Sequence, residues 1–115
     1  MVLVCFEVII KEDCMEEYLS AANKLKDHLA RAKGFVRSER FASLVTERKL
    51  LSLSVWENED SVNQWRNRQE HRRSQKSCRE TIFESYTITV ASVLRSYTDQ
   101  DRQEAPEDSN IILEA

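Results

Sequence analysis

The alternation of apolar and polar residues divides this chain into regular elements. The segment VLVCFEVII at residues 2–10 is almost wholly apolar and β-branched, which predicts a strand buried on both faces. Residues 14–33 predict a helix, because apolar side chains recur at helical spacing and form one stripe, made of Met15, Tyr18, Leu19, Ala22, Leu25 and Leu29. We expect Asp13 to cap this helix and Gly34 to end it in the left-handed conformation.

A predicted hairpin and a second helix follow. Residues 35–44 and 50–56 have the composition of two strands, and the short polar segment between them predicts a hairpin turn. Asn58 is suited to cap a helix that lies between residues 59 and 79, with acidic residues in its first turn.

The alternating segment 82–97 predicts a long last strand. The resulting order βαββαβ is typical of the ferredoxin-like α+β fold, in which helices cover one face of an antiparallel sheet. The first strand is apolar on both sides, and Leu51, Leu53 and Val55 give the third strand one apolar side. One helix layer cannot bury all of these side chains, so we expect a homodimer that packs through the other sheet face.

The charge of the chain is unevenly distributed. Residues 1–97 have a net charge of +2, whereas residues 98–115 contain six acids and one base. We therefore expect one domain over residues 1–97 and an acidic C-terminal tail over residues 98–115, mobile because it is polar and contains the one proline. The apolar residues near its end either dock on the body or on a partner, or belong to a disordered end.

Composition argues against several classes of function. The net charge of −3 gives no reason to expect a nucleic acid or an anionic membrane as partner, and no apolar run is long enough to span a bilayer. The first ten residues lack the basic start of a signal peptide, so we expect a cytoplasmic protein. Three widely spaced cysteines without a CxxC motif indicate reduced thiols. Two histidines without clustered acids predict no metal site.

The second helix has a thin apolar face, which leaves two interpretations open. Its apolar residues are only Val62, Trp65 and Cys78. Either the first two plug the sheet beneath a solvated basic face, or the helix stands off the sheet and Trp65 roofs a ligand pocket. The candidate walls of such a pocket are aromatic, namely Phe6, Phe41, Trp56, Trp65 and Tyr86. The candidate polar groups are Glu7, Arg40, Ser54 and His71.

A family resemblance follows from three segments: GFVRSERF, then KLLSLSVWENEDSVNQWRNRQEHRRSQ, then IFESYTITVASVLRSY. Together they resemble the antibiotic biosynthesis monooxygenase (ABM) domain family over residues 2–97. The resemblance implies a ferredoxin-like dimeric α+β barrel. Characterised members of the family include cofactor-independent, quinone-forming monooxygenases and haem-degrading enzymes.

The resemblance carries over to individual positions only in part. The monooxygenase members use an Asn, a Trp and a Tyr, whose positions correspond here to Ser61, Trp65 and the neighbourhood of His71. The haem-degrading members use an Asn, the same Trp and a His, where this chain has Phe6, Trp65 and Gln75. Loss of the axial histidine argues against haem degradation.

The resemblance and the residues together predict a monooxygenase that acts on a small phenol or hydroquinone without metal or cofactor. His71 is the expected base and Trp65 walls the ring, while Arg40 or Arg72 steadies the anion. His71 reaches the Trp65 side of the helix only if the helix breaks between Arg66 and Glu70. The other expected substrate contacts are Phe6, Phe41, Ser54, Trp56, Ser61 and Tyr86. The alternative is a non-catalytic dimeric module of the same fold that binds small molecules or serves in stress.

Overall fold

The computed structural model of this chain describes residues 1–75 and 82–114, and the side chains of residues 1–69 and 82–112. The predicted order βαββαβ is confirmed, and a short third helix follows it. The elements are β1 (Val2–Ile10), α1 (Met15–Ala30), β2 (Phe35–Ala42), β3 (Lys49–Trp56), α2 (Glu59–Gln75), β4 (Phe83–Ser92) and α3 (Glu107–Glu114). None of the described helices is both long and apolar enough to span a membrane.

The four strands form one antiparallel sheet in the order β2-β3-β1-β4. Val8 of β1 lies opposite Leu50 of β3 and Tyr86 of β4, so these residues share one face. We call this the inner face, because α1 and α2 lie over it. The outer face carries the residues that alternate with them, such as Glu7 and Leu51.

Two well-packed regions hold the helices to the inner face. One is the hydrophobic core at the end of β1, where the buried side chains are Val8, Ile10, Tyr18, Leu50 and Ile82. The other lies at the opposite end of β3. There Trp56 is only 1% exposed and its ring centroid lies 5.5 Å from that of Phe35 and 6.1 Å from that of Trp65. The helices are thus anchored at two separate places.

The start of α1 differs from the prediction. Asp13 has a positive φ of 69°, and the N-cap position belongs to Cys14, which makes no side-chain capping hydrogen bond. An aspartate in the left-handed region does not have the extended backbone that an N-cap requires. The left-handed conformation expected for Gly34 is confirmed, with φ of 79°, but this residue lies in the turn after α1 and not directly at its end.

The predicted cap of α2 is confirmed. The Ser61 backbone N–H donates a hydrogen bond of 2.9 Å to Asn58 Oδ1. Just before this cap, the Glu57 N–H donates to the Gly34 carbonyl at 2.8 Å, which ties the start of β2 to the start of α2. The side chain of Ser61 packs against Gly34 so closely that a Cβ at that glycine would overlap Ser61 Oγ and lie 2.6 Å from Ser61 Cβ. Only glycine fits there without displacing α2.

The end of the chain is more ordered than its composition predicts. β4 ends at Ser92, and residues 95–114 form what we call the C-terminal arm. The Arg102 guanidinium lies 4.9 Å from the Tyr97 ring centroid. It also donates to Asn110 Oδ1 at 3.0 Å and to Ser109 Oγ at 2.9 Å. One arginine therefore joins the turn to α3, where the sequence predicted a mobile tail.

Candidate functional site

A cavity of about 1470 Å³ separates the inner face from the helices between the two packed regions. Part of its floor is made of small side chains at positions that face the helices, namely Ser38, Ser52 and Ser54. From α1, the lining includes the small residues Ala21 and Ala22 beside larger ones such as Leu25 and Leu29. Interior space in proteins is normally filled to near crystal density, so small residues on both sides leave a hollow unless another group enters.

Aromatic rings close the cavity toward the hydrophobic core. The Phe6 ring centroid lies 5.9 Å from that of Phe83 and 5.6 Å from that of Tyr86. Tyr18 of α1 extends this cluster, with its ring 5.8 Å from Phe83. At the opposite end the cavity meets the rings of Trp56 and Trp65. A flat, apolar ligand would therefore find aromatic contacts at both ends.

The part of the cavity floor that β2 and β3 form is polar. Ser38 lies opposite Ser54, and Arg40 lies opposite Ser52, so these side chains form one patch. Trp56 Nε1 donates a hydrogen bond of 2.9 Å to Ser54 Oγ. Since the serine oxygen accepts this bond, its own hydroxyl proton remains available to a ligand. The Arg40 guanidinium lies over the Tyr18 ring, 5.6 Å from its centroid.

The part of the cavity floor that β1 and β4 form is apolar, and its lining residues are Val4, Phe6, Tyr86, Ile88 and Val90. Tyr86 and Ile88 are each 53% exposed and Val90 is 49% exposed. Apolar side chains at helix-facing positions are normally covered, so this exposure shows that the cavity opens to solvent along β4. The polar and apolar halves lie side by side across the strands.

The roof comes from α2, through Val62, Asn63, Trp65 and Gln69. The predicted pocket beneath Trp65 is therefore present, and Trp65 does not fill it. Gln69 Nε2 is buried without a hydrogen-bond partner among the described residues. A buried amide without a partner loses the hydrogen bonds that it makes in water. Because solvent does not reach this nitrogen, a ligand in the cavity could bind it only after the Gln69 side chain rotates. No pattern in the sequence marks Gln69.

Phe41 and Glu7, two of the predicted lining residues, are not brought to this cavity. Phe41 lies opposite Leu51, and Glu7 lies between Leu51 and Thr87, all of them on the outer face. The reason is the alternation of side chains along a strand, which sends Arg40 and Phe41 to opposite faces. Glu7 instead pairs with Lys49 at 3.7 Å.

Ser61, predicted as a substrate contact, does not line the cavity either. Its side chain is only 5% exposed because it packs against Gly34. Asn63, two residues further along α2, lines the cavity instead. The serine therefore has a packing role at the helix start.

His71 and Arg72 have side chains that lie outside the described residues. The backbone of α2 is continuous from Glu59 to Gln75, so the break that the sequence argument required between Arg66 and Glu70 is absent. The assignment of a base to His71 and of an anion contact to Arg72 stays a prediction.

Ser38 and Ser52 are functional candidates that the sequence interpretation missed. A signal for Ser52 was present, because the serines of LLSLSVW alternate with Leu51 and Leu53, which assigns them to one side of the strand. Reading that alternation required knowledge of which side faces the helices. The described residues contain no cluster of three or more metal-ligating side chains.

The sequence profile of the antibiotic biosynthesis monooxygenase family matches residues 1–77. The chain belongs to this family. The resemblance inferred from GFVRSERF and from the two tryptophan positions is thereby confirmed. The family assignment covers β1 to α2, which are the elements that supply most of the cavity.

Curated relatives extend the similarity of this ABM protein along its chain. A jasmonate monooxygenase ABM from Pyricularia oryzae is 33% identical over 96 residues, which is 84% of this chain and 45% of that protein. YqjZ, an uncharacterised protein from Bacillus subtilis, is 33% identical over 51 residues, covering 44% of this chain and 45% of the other. The chain thus spans about half the length of the curated relatives that it matches.

Solved structures support the fold of this ABM protein. SnoaB, a cofactor-independent oxygenase from Streptomyces nogalater, superposes with a TM-score of 0.68 at 14% identity, covering 83% of this chain and 94% of SnoaB. MhuD with manganese protoporphyrin IX superposes with a TM-score of 0.70 at 10% identity, covering 85% and 99% of the two chains. At these identities the likeness concerns the fold alone.

Proposed function

We propose that this chain is a monooxygenase that oxygenates a small aromatic molecule of the hydroquinone type, bound between the sheet and α2. The observation that carries the proposal is the cavity in an ABM protein, walled by aromatic rings at both ends and bordered by Arg40. The Pyricularia oryzae relative is a monooxygenase, which supports the reaction class.

The reaction balances without a cofactor. A hydroquinone reacts with one O₂ to give a hydroxyquinone and one water, and the substrate supplies all four electrons. One oxygen atom forms the new C–O bond and the other leaves as water. The protein's part is to hold the ring, remove a phenolic proton and stabilise the anion that reduces oxygen.

The described side chains account for two of these tasks. Trp65, which is partly exposed at the cavity, offers a face against which an aromatic ring packs, and the buried Trp56 supports it from behind. Arg40 supplies a positive charge, and Ser52 and Ser54 supply hydroxyl donors beside it. The third task needs a base. We keep the sequence prediction of His71 as the base to be tested, although the continuous backbone of α2 places residue 71 about 120° from Trp65 around the helix axis.

We expect the wild-type protein to consume O₂ with 1,4-dihydroxynaphthalene in the presence of a metal chelator, one O₂ for each substrate. General-base catalysis contributes roughly 10²–10⁴-fold, so His71→Ala should lower the rate by about that factor. The measurement is oxygen-electrode kinetics, with ¹⁸O₂ incorporation into the quinone followed by mass spectrometry.

His28→Ala is the comparison variant, because His28 is the other histidine of the chain and lines the cavity from α1, which makes it the rival candidate for the base. If His71→Ala consumes oxygen at the full rate, His71 is not the base. If only His28→Ala lowers that rate, His28 is the base. Binding of the ring under argon without any oxygen consumption in air would favour the non-catalytic binding module.

We further propose that two copies pair through the outer face. Its central strands present an apolar band that neither α1 nor α2 covers, made of Leu3, Cys5, Leu51 and Leu53. Covering such a band stabilises a small domain, which buries only a modest fraction of its own surface.

Leu53→Asp should therefore convert a dimer into a monomer, because it places a charge at the centre of the proposed interface. Sedimentation equilibrium measures the mass, and circular dichroism checks that the secondary structure is retained. Val45→Asp is the control, since Val45 is 94% exposed in the β2–β3 turn. A monomeric wild type, or a dimeric Leu53→Asp variant, would contradict the proposed interface.

A further inference from the structure

The polar and the apolar side chains of the cavity floor lie on different strands. Ser38 and Arg40 lie on β2, and Ser52 and Ser54 lie beside them on β3. The apolar half lies on β1 and β4. A pocket for a neutral hydroquinone needs isolated polar contacts at its hydroxyl groups. A positive charge grouped with three hydroxyls instead suits a negatively charged group that accepts several hydrogen bonds at once.

Arg40 is available to such an acceptor. No carboxylate lies within ion-pair distance of its guanidinium among the described residues, where the ion pairs are Arg48–Glu84 and Glu7–Lys49. Its contact is with the Tyr18 ring, which lies against the core and holds the guanidinium at the cavity. Neither Ser38 nor Ser52 has a side-chain hydrogen bond within the described part of the chain.

The spacing of the strands sets the size of the ligand. Adjacent strands are about 4.8 Å apart, so β2 and β4 are separated by about 14 Å across the cavity floor. A molecule that reaches from Arg40 to Ile88 therefore needs a body about the length of two fused rings. Its end at Arg40 should be acidic, and its body over β1 and β4 should be apolar.

We propose that Arg40, Ser38, Ser52 and Ser54 form a carboxylate subsite, and that the substrates are aromatic carboxylic acids that carry the hydroquinone hydroxyl groups. The Arg40 guanidinium binds the carboxylate, the serine hydroxyls donate to its remaining lone pairs, and the ring system lies on the apolar floor of β1 and β4. The subsite rests on the proposed function in that it names the substrate class of the same cavity.

Three related compounds test the subsite: 1,4-dihydroxy-2-naphthoate, its methyl ester and 1,4-dihydroxynaphthalene. Calorimetric titration under argon measures their binding without turnover. We expect the wild type to bind the acid at least about tenfold more tightly than the ester, because hydrogen bonds to a charged group are the stronger ones. Equal affinity for the acid and the ester would overturn the proposal.

Arg40→Gln should remove this preference, so that the acid and the ester bind within about twofold of each other. Arg40→Lys should retain part of it, since lysine keeps the charge and loses the planar fork. The matched control is Arg37→Gln. Arg37 lies on the same strand but opposite Val55, on the outer face, and removing it changes the net charge equally. A preference that survives in Arg40→Gln, or disappears in Arg37→Gln, would overturn the subsite.

The binding experiment and the oxygen experiment fail independently. An acid preference in a protein that consumes no O₂ leaves the subsite standing and removes the monooxygenase. Oxygen consumption with equal specificity constants for acid and ester, together with equal affinities, leaves the monooxygenase standing and removes the subsite.

Discussion

Trp56→Ala is expected to destabilise the fold by about 3–5 kcal/mol, the usual cost of truncating a buried aromatic residue. Trp56 is 1% exposed, packs edge-on against Phe35 and contacts Trp65. Its removal opens a void in one of the two regions that hold the helices to the sheet. Urea unfolding followed by circular dichroism at a fixed protein concentration measures the change in the free energy of unfolding.

Trp56→Phe separates packing from hydrogen bonding. It keeps an aromatic ring against Phe35 and removes the indole donor to Ser54, so we expect a loss of about 1–2 kcal/mol. Trp65→Ala should cost less than Trp56→Ala, because Trp65 is partly exposed at the cavity. A Trp56→Ala variant that loses less than about 1 kcal/mol would show that this region does not anchor α2.

Gly34→Ala is expected to cost about 2–4 kcal/mol, from two separate causes. Alanine at φ of 79° brings its Cβ close to the carbonyl oxygen, which disfavours the left-handed region. The new methyl group also overlaps the side chain of Ser61, so α2 must shift. The same urea titration measures the loss.

A double-mutant cycle with Ser61→Gly isolates the second cause. Ser61→Gly alone should cost about 0.5 kcal/mol, because glycine is a poorer helix former than serine. In the double variant the overlap is absent, so the combined loss should be smaller than the sum of the single losses. Strict additivity would show that the backbone conformation alone accounts for the effect of Gly34→Ala.

The fold was accessible from the sequence because local patterns agree with one another. The apolar strand β1, the stripe of α1 and the Asn58 cap each predict their own element, and their order leaves few topologies. The cavity could be predicted in part from the sequence, because α2 has a thin apolar face that includes Trp65.

The assignment of Phe41 to the cavity failed because the facing of a strand depends on pairing. A shift of one residue in the β2–β3 register exchanges the places of Arg40 and Phe41, and no local pattern fixes that register. Gln69 and the Arg102 contacts to Ser109 and Asn110 depend likewise on which segments meet in space.

The placement of the cavity between two packed regions has an evolutionary consequence. The most deeply buried apolar residues lie at its ends, around Val8 and Trp56, whereas the polar half of the floor consists of Arg40 and three serines that bury little apolar surface. Exchange among small side chains at Ser38, Ser52 and Ser54 can therefore alter which molecules are accepted while the scaffold is retained. Such a partition lets one framework diversify its chemistry by drift at a few floor positions, without first acquiring extra stability.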